Sequence, residues 1–266
     1  MIHVAIVSHG HEALLIASKM GGLQIAEDKL RVWVKDNKPS VALSAYCEQH
    51  GIFYSDDKPG MGFGENNNFL FRLIQQRAGF KPGDTFLVMN PDITVDPQTV
   101  LALAEQMHRD RYPIATINLY RDQKFAVADS NIRRFPNMFS LLRMSLVRSL
   151  SQPYDKGHME TACHVDWASG AFLAFDANHY LALEGFDPRY FMYFEDVDIC
   201  YRSQMLLGNG VRYYPALRAV HTAAHKNRNL ISQHASWFFS SFMKFLSRRY
   251  FVYDRRENLA SAKKVV

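Results

Sequence analysis

Short apolar runs rich in β-branched residues alternate with helix-like stretches through the first half of this chain of 266 residues. The runs have the length of buried strands, and the stretches between them have the apolar spacing of helices. Strands that alternate with helices of about 10 to 15 residues indicate βαβ units and a mostly parallel sheet, hence an α/β fold. Strands are predicted at His3–Ser8, Leu30–Val34, Ile52–Tyr54 and Thr85–Met89, and helices at Glu12–Met20, at Val41–His50 and up to about Arg77.

Polar residues follow three of the predicted strands. In a parallel α/β sheet the ligand site lies at the carboxyl ends of the strands, so these residues predict a nucleotide site. Capping of the helices that follow is the structural alternative for each of them. The residues are Ser8 and His9, Asp36 and Asn37, and Asn90, Pro91 and Asp92.

A loop rich in Gly and Asn, Lys58–Asn68 (KPGMGFGENNN), precedes the helix that ends near Arg77. Its glycines resemble a dinucleotide-binding fingerprint, but that motif belongs in the first βα turn, and this loop comes later and continues with asparagines. We expect Gly60, Gly62 and Gly64 to let the backbone pass close to a ligand at a helix N-terminus, where free amides favour anionic groups.

Three carboxylates lie within four residues of the second half, at Glu195, Asp196 and Asp198, directly after the aromatic run Phe191–Phe194. Like charges this close raise one another's pKa unless a partner intervenes, so a purely structural cluster would be costly if buried. A solvated helix start, in which the carboxylates complement the helix dipole, is the structural alternative. The aromatic flank favours a functional site.

Six motifs follow one another over roughly residues 3 to 202: HVAIVSHGH, VKDNK, GFGENNN, MNPDI, VDWASGAFL and GFDPRYFMYFEDVDICYR. Together they resemble the inverting nucleotide-sugar glycosyltransferases of family 2, which have the GT-A fold. The set is most similar to the bacterial rhamnosyltransferases that add L-rhamnose to N-acetylglucosamine (GlcNAc) on a polyprenyl diphosphate during O-antigen assembly. The resemblance implies a Rossmann-like, mostly parallel central sheet flanked by helices.

The resemblance also implies a site for a nucleotide diphosphate sugar and for a divalent cation, Mg²⁺ or Mn²⁺, that binds its diphosphate. Asp92 is the implied metal ligand, and His221 is the late histidine that completes the metal site, with a surface histidine as its alternative. Asn90 stands where the common DxD motif has its first Asp, so an indirect metal contact or a sugar contact is expected for it. Asp36 would accept a hydrogen bond from the pyrimidine N3–H. The implied nucleotide-sugar-binding residues are Ser8, His9, Asp36, Gly62, Gly64, Asn67, Asn68, Asn90 and Asp92.

Inversion at the anomeric carbon needs one general base that takes the proton of the acceptor hydroxyl. The resemblance assigns this role to Asp196, with Glu195 and Asp198 tuning its pKa or binding sugar hydroxyls. Trp167 is expected to stack on the acceptor sugar, with a core tryptophan as the alternative. The implied acceptor-binding residues are Trp167, Ser169, Gly170 and Arg228, the last as a planar fork for the diphosphate.

The net charge of +5 is concentrated near the C-terminal end. Residues 221–266 hold nine Lys or Arg and two Asp or Glu, a net charge of +7, whereas residues 1–220 have a net charge of −2. We expect a basic amphipathic helix at 235–251 to lie on an anionic membrane surface, with 133–150 as a second candidate. Packing on the catalytic body is the alternative for both. The apolar face of the first helix is formed by Phe238, Phe239, Phe242, Phe245, Leu246 and Tyr250.

Two parts are expected, a GT-A catalytic domain at 1–225 and a basic amphipathic, membrane-associating helical segment at 226–266. The composition, with 48% hydrophobic residues, excludes a disordered protein, and Cys47, Cys163 and Cys200 have neither disulfide nor zinc spacing and are expected to be reduced. The sequence has no signal-peptide pattern and no run of about 18 apolar residues. We therefore expect a peripheral protein at the cytoplasmic face of the bacterial inner membrane.

The combined expectation is an inverting transferase that moves L-rhamnose from dTDP-β-L-rhamnose to the GlcNAc of a polyprenyl-diphosphate-linked acceptor in lipopolysaccharide O-antigen synthesis. The acceptor and its α-1,3 linkage follow from the resemblance alone. A transferase of the same fold that uses a UDP-sugar or another dTDP-deoxyhexose is the alternative. A sugar-phosphate nucleotidyltransferase is disfavoured, because the first loop, His9-Gly10-His11, lacks the Arg and Lys expected for pyrophosphate. A nucleic-acid partner is disfavoured by the aromatic face of the basic segment.

Overall fold

The computed structural model describes residues 1–18, 20–26, 28–140, 151–222 and 233–253. Strands and helices alternate in the first part of the chain, as the sequence predicts. The elements there are β1 (Ile2–Ser8), α1 (Glu12–Ala17), a 3-10 helix (Met20–Ala26), β2 (Leu30–Asp36), α2 (Val41–Gln49), β3 (Phe53–Ser55), α3 (Phe63–Arg77) and β4 (Thr85–Met89).

After β4 the alternation gives way to several strands in succession. The elements are β5 (Ile93–Thr94), α4 (Pro97–Asp110), β6 (Ile114–Tyr120), β7 (Ile132–Arg133), a 3-10 helix (Lys156–His158), β8 (Cys163–Val165), β9 (Trp167–Ala168), β10 (Phe172–Asp176), α5 (Ala177–Ala182), α6 (Glu195–Leu207), β11 (Val211–His221), α7 (Gln233–Arg248) and a π-helical turn (Arg249–Tyr253).

Nine strands form one sheet in the order β3-β2-β1-β4-β10-β6-β11-β5, and β8 pairs with β11 beside this path. Strands β3, β2, β1 and β4 are parallel, and β6 is parallel to β11. Strand β10 runs antiparallel to both β4 and β6, and β5 and β8 run antiparallel to β11. The predicted α/β fold is confirmed, and the sheet is mixed because β10 joins two parallel groups.

Both faces of the sheet are covered, because successive side chains of a strand point to opposite faces. Val4 and Ile6 of β1 belong to a core cluster that includes side chains of α1, α2 and α4. Ala5, between them, belongs to a second cluster with side chains of α3, α5 and α6. Helices therefore lie on both sides of the sheet, and the parallel strands β1, β2 and β4 end at the same edge.

Helix α1 is shorter than predicted: it ends at Ala17 rather than Met20, and a 3-10 helix follows. Gly21 of the 3-10 helix approaches α2 so closely that an added Cβ would lie 2.4 Å from Cδ2 of His50. Gly21 N also donates a hydrogen bond to the Tyr46 hydroxyl at 3.0 Å. This contact with α2 determines the path of the chain here, and local periodicity does not reveal it.

Helix α7 packs its apolar face on the catalytic body. Phe242, Phe245 and Leu246 are buried in a cluster with Tyr190 and Tyr201. The prediction that these three side chains face a membrane is therefore wrong, and the alternative of packing on the body is correct for them. Phe239 of the predicted face is exposed instead, together with Met243 and Phe251 of the same segment.

The second predicted membrane helix does not begin at Arg133, which lies in strand β7. The Arg133 guanidinium donates to Ser130 O at 3.1 Å and to Ser151 O at 3.2 Å. Pro136, three residues on, has no amide hydrogen to give to a helix interior. The helical prediction is wrong for 133–139, which is not helical, and residues 141–150 lie outside the described residues.

The three cysteines are free thiols, as their spacing predicts. Burial raises the pKa of the Cys47 thiol to about 12, so this group stays protonated at neutral pH. Among the described residues, none of the helices combines the length and the apolar character that a membrane crossing requires.

Candidate active site

The carboxyl ends of β1, β2 and β4 meet at one edge of the sheet. Ser8 and Asp36, the last residues of β1 and β2, are partners in the parallel register. Asn37 N donates to Ser8 O at 2.8 Å, which keeps the two strand ends together. Ser8 is buried, and His9, the next residue, is exposed. Ser8, His9 and Asp36 are thus neighbours at this edge.

Asp36 lies beneath the surface with its carboxylate held by nearby donors. The Tyr54 hydroxyl donates to Oδ2 at 3.2 Å, and Lys38 N donates to Oδ1 at 3.4 Å. Burial and the Asp36 charge raise the pKa of Tyr54 to about 12, so its phenol remains a hydrogen-bond donor. The carboxylate has further acceptor capacity, since each oxygen has two lone pairs.

Asn37 fixes the Gly-rich loop to the end of β2. Gly60 N donates to Asn37 Oδ1 at 2.8 Å, and Asn37 Nδ2 donates to Met61 O at 2.9 Å. Asn66 Nδ2 holds the same loop from the other side, donating to Met61 O at 2.8 Å and to Gly62 O at 2.9 Å. The loop therefore lies directly beside Asp36.

Gly62 and Gly64 are required by close approaches to residues 183–194, the turn before α6. Phe63 N donates to Phe191 O at 3.1 Å, and a Cβ on Gly62 would lie only 2.2 Å from that oxygen. A Cβ on Gly64 would lie 2.7 Å from Cβ of Phe186. These glycines bring the N-terminus of α3 against another segment of the protein, in addition to any contact with a ligand.

Asn67 and Asn68 are interior residues of α3. Asn68 Nδ2 donates to Phe186 O at 2.7 Å, and its Oδ1 accepts from Phe186 N at 2.9 Å and from the Tyr180 hydroxyl at 2.6 Å. The structure thus places Asn68 in the packing between α3 and the turn before α6, which corrects its prediction as a residue in contact with the nucleotide sugar. Asn67 Oδ1 is buried without a hydrogen bond to the described residues.

Backbone hydrogen bonds connect the end of β4 to the acidic cluster of α6. Asn90 N donates to Ala171 O at 2.8 Å. Gly170, the residue before Ala171, donates its N–H to Asp196 Oδ2 at 3.1 Å. A Cβ on Gly170 would lie 2.8 Å from Cε1 of Phe63, so a larger residue here would have to displace the Phe63 ring. Asn90 and Asp196 therefore flank one short segment of backbone.

Asp92 and His221 are neighbours, because β11 pairs with β5 at this point. His221 Nε2 lies 3.4 Å from Asp92 Oδ1, and His221 Nδ1 lies 2.6 Å from Asp129 Oδ2. Burial disfavours a charged imidazole, but contact with Asp129 and Asp92 outweighs burial and raises the pKa of His221 to about 9. Burial likewise acts to raise the pKa of Asp129, and the His221 contact prevails and lowers it.

The donor atoms of this group fit a divalent cation that also binds a phosphate ligand. Asp92 Oδ1 is buried, has no hydrogen bond to the described residues, and faces His221 Nε2. Asp129 contacts the opposite ring nitrogen and does not point to the same place. Within the described ranges, no three His, Cys, Asp or Glu side chains form a cluster that could hold a metal ion. Two protein donors leave the other positions of such an ion to water and phosphate oxygens, as is usual for Mg²⁺ in nucleotide sites.

Glu195 and Asp196 start α6 and are shielded from solvent to different extents. Glu195 is 6% exposed, and its Oε2 has no hydrogen bond within the described part of the chain. Asp196 is half-buried, and its Oδ1 accepts from Val197 N at 2.8 Å. Burial raises the pKa of both carboxyl groups, the Asp196 charge raises that of Glu195 further, and backbone N–H groups limit the rise at Asp196. The alternative of a solvated helix start is therefore wrong for Glu195.

Asp198 is fully enclosed rather than placed in the cleft. Arg202 Nε donates to its Oδ2 at 2.6 Å, and the Tyr190 hydroxyl donates to Oδ1 at 3.4 Å. Arg248 Nε of α7 lies 3.7 Å from the same Oδ1. This placement corrects the prediction that Asp198 binds sugar hydroxyls: its carboxylate joins α6 to α7.

The predicted acceptor residues lie next to Gly170. Trp167 is half-buried, and its Nε1 donates to Arg134 O at 2.9 Å, so the indole is fixed at the edge of the core and keeps an accessible part. Ser169 N donates to Asn131 O at 2.8 Å. Arg228 lies outside the described residues.

Two cavities lie at opposite ends of strand β4. One of about 400 Å³ lies where β4 begins and β10 ends, and it contains no predicted site residue. Another, of about 110 Å³, lies beside the carboxyl end of β4 and is lined in part by Asn90 and Pro91. The position of the polar side chains at the strand ends, rather than volume, identifies the candidate site.

Sequence reasoning missed two residues that shape the site, Asp129 and Arg202. Arg202 could have been found, because it follows Asp198 at the i, i+4 spacing that pairs charges on a helix. Asp129 carries no such signal, since its partner His221 lies 92 positions away.

Comparison with known proteins places these observations in a family. The chain is 31% identical over 258 residues to the rhamnosyltransferase WbbL of Escherichia coli (strain K12), an alignment that covers 96% of each chain. It is 29% identical over 204 residues to an N-acetylglucosaminyl-diphospho-decaprenol L-rhamnosyltransferase of Mycobacterium tuberculosis, covering 71% of this chain and 65% of that protein. No family model matches the chain.

Solved structures share the fold. A mannosyltransferase from Pyrobaculum calidifontis in complex with GDP-Man and Mn²⁺ superposes with a TM-score of 0.57 at 12% identity, covering 85% of this chain and 58% of that one. GalNAc-T7 with UDP, GalNAc and Mn²⁺ gives a TM-score of 0.67 at 13% identity, covering 96% of this chain and 49% of that one. The chain thus spans about half to three fifths of the length of these structures, and the likeness confirms the GT-A fold.

Proposed function

The chain belongs to the bacterial rhamnosyltransferases, a group of GT-A glycosyltransferases, and we propose that it transfers L-rhamnose from dTDP-β-L-rhamnose to the GlcNAc of a polyprenyl-diphosphate-linked acceptor. The product has an α-1,3 linkage, and the reaction is a step of lipopolysaccharide O-antigen synthesis. The name of the Mycobacterium tuberculosis relative supports this acceptor class. One observation carries the chemistry: Gly170 N holds the Asp196 carboxylate, at 3.1 Å, beside the segment that is hydrogen-bonded to Asn90.

Asp196 is the general base of this reaction. Its ionised carboxylate takes the proton of the acceptor hydroxyl while the hydroxyl oxygen forms a bond to the anomeric carbon. The bond from that carbon to the diphosphate oxygen breaks on the opposite face, so the β-linked donor gives an α-linked product and dTDP leaves. Burial raises the pKa of Asp196, which makes it a stronger base than an exposed aspartate.

Glu195 keeps its proton while Asp196 is ionised. Its pKa is raised well above the ordinary value by burial and by the Asp196 charge. A neutral Glu195 removes the repulsion that a second carboxylate would exert on the base. Asp196 is thus the base, and Glu195 is a neutral neighbour.

The donor diphosphate binds beside Asp92 and His221, which hold Mg²⁺ or Mn²⁺. The bound ion supplies positive charge that stabilises the leaving diphosphate. Asp36 accepts a hydrogen bond from the thymine N3–H, and the backbone at Gly62 and Gly64 borders the diphosphate at the N-terminus of α3. Ser8, His9, Asn67 and Asn90 complete the donor site. The two superposed structures both contain Mn²⁺, which supports the choice of a divalent ion.

The acceptor binds on the side of Trp167, Ser169 and Gly170. The accessible part of the Trp167 ring offers a flat apolar surface to the GlcNAc ring, and Arg228 binds the acceptor diphosphate as a planar fork. Trp167 lies only three residues before Gly170, whose backbone N–H is hydrogen-bonded to Asp196. This adjacency supports an acceptor hydroxyl within reach of the base.

The donor assignment is tested by thermal denaturation with dTDP-rhamnose, dTDP, UDP-GlcNAc and GDP-mannose, each with Mg²⁺ or Mn²⁺. Specific binding raises the melting temperature by mass action, so the dTDP ligands should give the largest shifts. A shift with a UDP- or GDP-sugar and none with dTDP-rhamnose would contradict the donor and favour the alternative donor. Transfer to synthetic GlcNAc-diphospho-polyprenol, with the product linkage read by NMR, tests the acceptor and the α-1,3 bond.

The protein is further proposed to bind the cytoplasmic face of the inner membrane as a peripheral protein, through the segment 226–266. The outward side of α7 supports this: Phe239 is 52% exposed and Met243 44%, and Phe251 continues the same side at 66%. The Tyr250 hydroxyl accepts from Met138 N at 3.4 Å, which places exposed Met138 nearby. The net charge of +7 over residues 221–266 attracts an anionic leaflet.

Vesicle flotation tests this membrane proposal with a matched control. Replacing Phe239 and Met243 together by Ser should reduce binding to anionic vesicles several-fold, because apolar area is lost from the contact. Val41→Ser is the control, since Val41 is 89% exposed on α2 and its loss should leave binding unchanged. Equal flotation of wild type and the double variant would contradict the role of α7.

A further inference from the structure

His221 contacts one acid with each of its ring nitrogens. Nδ1 lies 2.6 Å from Asp129 Oδ2, and Nε2 lies 3.4 Å from Asp92 Oδ1. All three side chains are largely shielded from solvent, with 13% of His221, 13% of Asp129 and 19% of Asp92 exposed. His221 thus lies between the two acids, and of these only Asp92 is proposed to lie next to the donor diphosphate.

Asp129 is held in place by several contacts besides the one with His221. Ser130 N donates to Asp129 Oδ1 at 2.8 Å, and Arg121 Nε lies 3.5 Å from the same oxygen. Asp129 N donates to Leu119 O, at the end of β6, at 2.8 Å. Oδ2 remains for His221. Because the carboxylate is held by these contacts, it determines the orientation of the imidazole ring rather than following it.

The 2.6 Å contact also selects the tautomer of His221. A neutral imidazole has its hydrogen on one ring nitrogen and a lone pair on the other. When the ring is neutral, as a metal ligand must be, a carboxylate beside Nδ1 keeps the hydrogen there and leaves the lone pair on Nε2, which faces Asp92. A histidine that binds a metal commonly donates its second N–H to a carboxylate in this way.

We propose that Asp129 is a positioning residue that holds His221 with its Nε2 lone pair directed at the cation site shared with Asp92. The inference rests on the proposed function, which places a divalent cation between Asp92 and His221. It assigns no contact with substrate to Asp129. It gives a role to a carboxylate that neither the motifs nor the predicted donor residues include.

Metal affinity separates this role from a structural one. If Asp129 only tied its loop to β11, its removal would lower the melting temperature and leave the affinity of the folded protein for Mn²⁺ unchanged. If it orients His221, the affinity falls in protein that is still folded. Changes to such indirect metal contacts typically weaken metal binding by about ten- to a hundredfold.

The experiment measures free Mn²⁺ by electron paramagnetic resonance in titrations of the full chain with dTDP present. Asp129→Ala should weaken Mn²⁺ binding by about ten- to a hundredfold. Asp129→Asn keeps an oxygen acceptor without the charge and should weaken Mn²⁺ binding by a smaller factor than Asp129→Ala. Asp155→Ala is the matched control, because Asp155 lies 3.6 Å from His158 with both side chains exposed. This control removes an aspartate–histidine contact and should leave the affinity unchanged.

Nitrogen-15 NMR of the histidine rings gives a second readout in the Mg²⁺ form. Wild-type His221 should be the Nδ1–H tautomer, and Asp129→Ala should give a mixture of tautomers. If Asp129→Ala does not fold, Asp129→Asn, which keeps the side-chain shape, decides the question. Wild-type affinity and an unchanged tautomer in that variant would overturn the proposal.

His221→Ala distinguishes failure of this inference from failure of the proposed function. If His221→Ala loses Mn²⁺ affinity and Asp129→Ala does not, Asp129 has no positioning role and the metal site stands. If neither variant loses affinity, the metal site itself is wrong and the inference falls with it. If Mn²⁺ binds with UDP and not with dTDP, the donor is wrong, and the same variants measured with UDP still decide the role of Asp129.

Discussion

Carboxylates gather at two places in the site, and their surroundings give them opposite properties. At the proposed metal end, Asp92 and Asp129 flank His221, and these contacts lower the pKa of Asp129 and raise that of His221. At the proposed catalytic end, two acids, Glu195 and Asp196, are adjacent, and burial raises the pKa of both. The first arrangement places negative charge around a histidine and suits a cation that replaces the histidine proton, whereas the second retains a proton on an acid and suits acid–base chemistry.

Asp198 shows that the environment, and not the position in sequence, makes this difference. It lies two residues after Asp196 on the same helix, yet Arg202 neutralises it at 2.6 Å and it has no exposed surface. Like the carboxylates around His221, the Asp198 carboxylate is therefore paired with a positively charged side chain, here Arg202. The comparison predicts distinct consequences for removing each charge.

Loss of the base should have the largest effect. Asp196→Asn cannot accept the acceptor proton, and a positioned general base contributes about 10² to 10⁴ in rate, so kcat should fall by that factor. Binding of dTDP-rhamnose should persist, because Asp92 and Asp36 remain. Radiolabelled transfer and the ligand-dependent melting temperature measure the two effects, and near-normal turnover would refute the assignment of Asp196.

Loss of the buried Asp198 charge should instead lower the free energy of unfolding. Asp198→Ala leaves the buried Arg202 without its carboxylate, and breaking such a pair typically costs about 3 to 5 kcal/mol in the free energy of unfolding. Denaturant titration measures this change. Asp155→Ala is the control: it removes an exposed pair with His158 and a capping hydrogen bond from Gly157 N at 3.0 Å, so it should cost only about 1 kcal/mol. A small effect of Asp198→Ala would mean that Asp198 is not structural.

Loss of the neighbouring acid should have a modest effect on turnover. Glu195→Gln resembles the protonated form that we assign to Glu195, so kcat should fall by less than about tenfold, far less than for Asp196→Asn. The same transfer assay compares the two variants. If Glu195→Gln were as inactive as Asp196→Asn, the proton acceptor would be Glu195 or the pair as a unit.

The pH profile should show the smallest but most specific effect. Because burial raises the pKa of Asp196, kcat/KM should decline on acidification at a higher pH than for an ordinary aspartate with a pKa of about 3.9. Glu195→Gln keeps the neutral form that we assign to Glu195, so the acidic limb should stay in place. Rates measured from pH 4 to 8 test this, and a move of the limb to lower pH in Glu195→Gln would show that Glu195 carries a charge while Asp196 titrates, which would contradict the assignment.

The strand ends of the site could be predicted because each depends on a local pattern. An apolar run followed by polar residues predicted the edge that contains Ser8, Asp36 and Asn90, and the structure has them at the ends of neighbouring strands or next to them. The direction of β10 could not be predicted in this way. Its sequence, FLAFD, has the composition of any buried strand, and its antiparallel pairing is determined by the connections around it.

The remaining site depends on contacts between distant segments. Asp196 and Asp198 look alike in sequence, and only the partners Gly170 and Arg202 distinguish the proposed base from a buried ion pair. The apolar pattern of α7 is the same for a helix on a membrane and a helix on a protein, so only the structure showed that Phe242 is buried. Local periodicity reports that a face is apolar and not what covers it.

The contact between Gly62 and Phe191 has a consequence for engineering donor specificity. Phe63 N and Phe191 O are hydrogen-bonded, and no side chain fits at Gly62. The loop that is proposed to border the donor and the turn before α6, which precedes the proposed base Asp196, are therefore built against each other as one unit. A donor loop transplanted from a relative must bring the matching aromatic turn with it, so the smallest exchangeable cassette comprises two segments that are far apart in the gene.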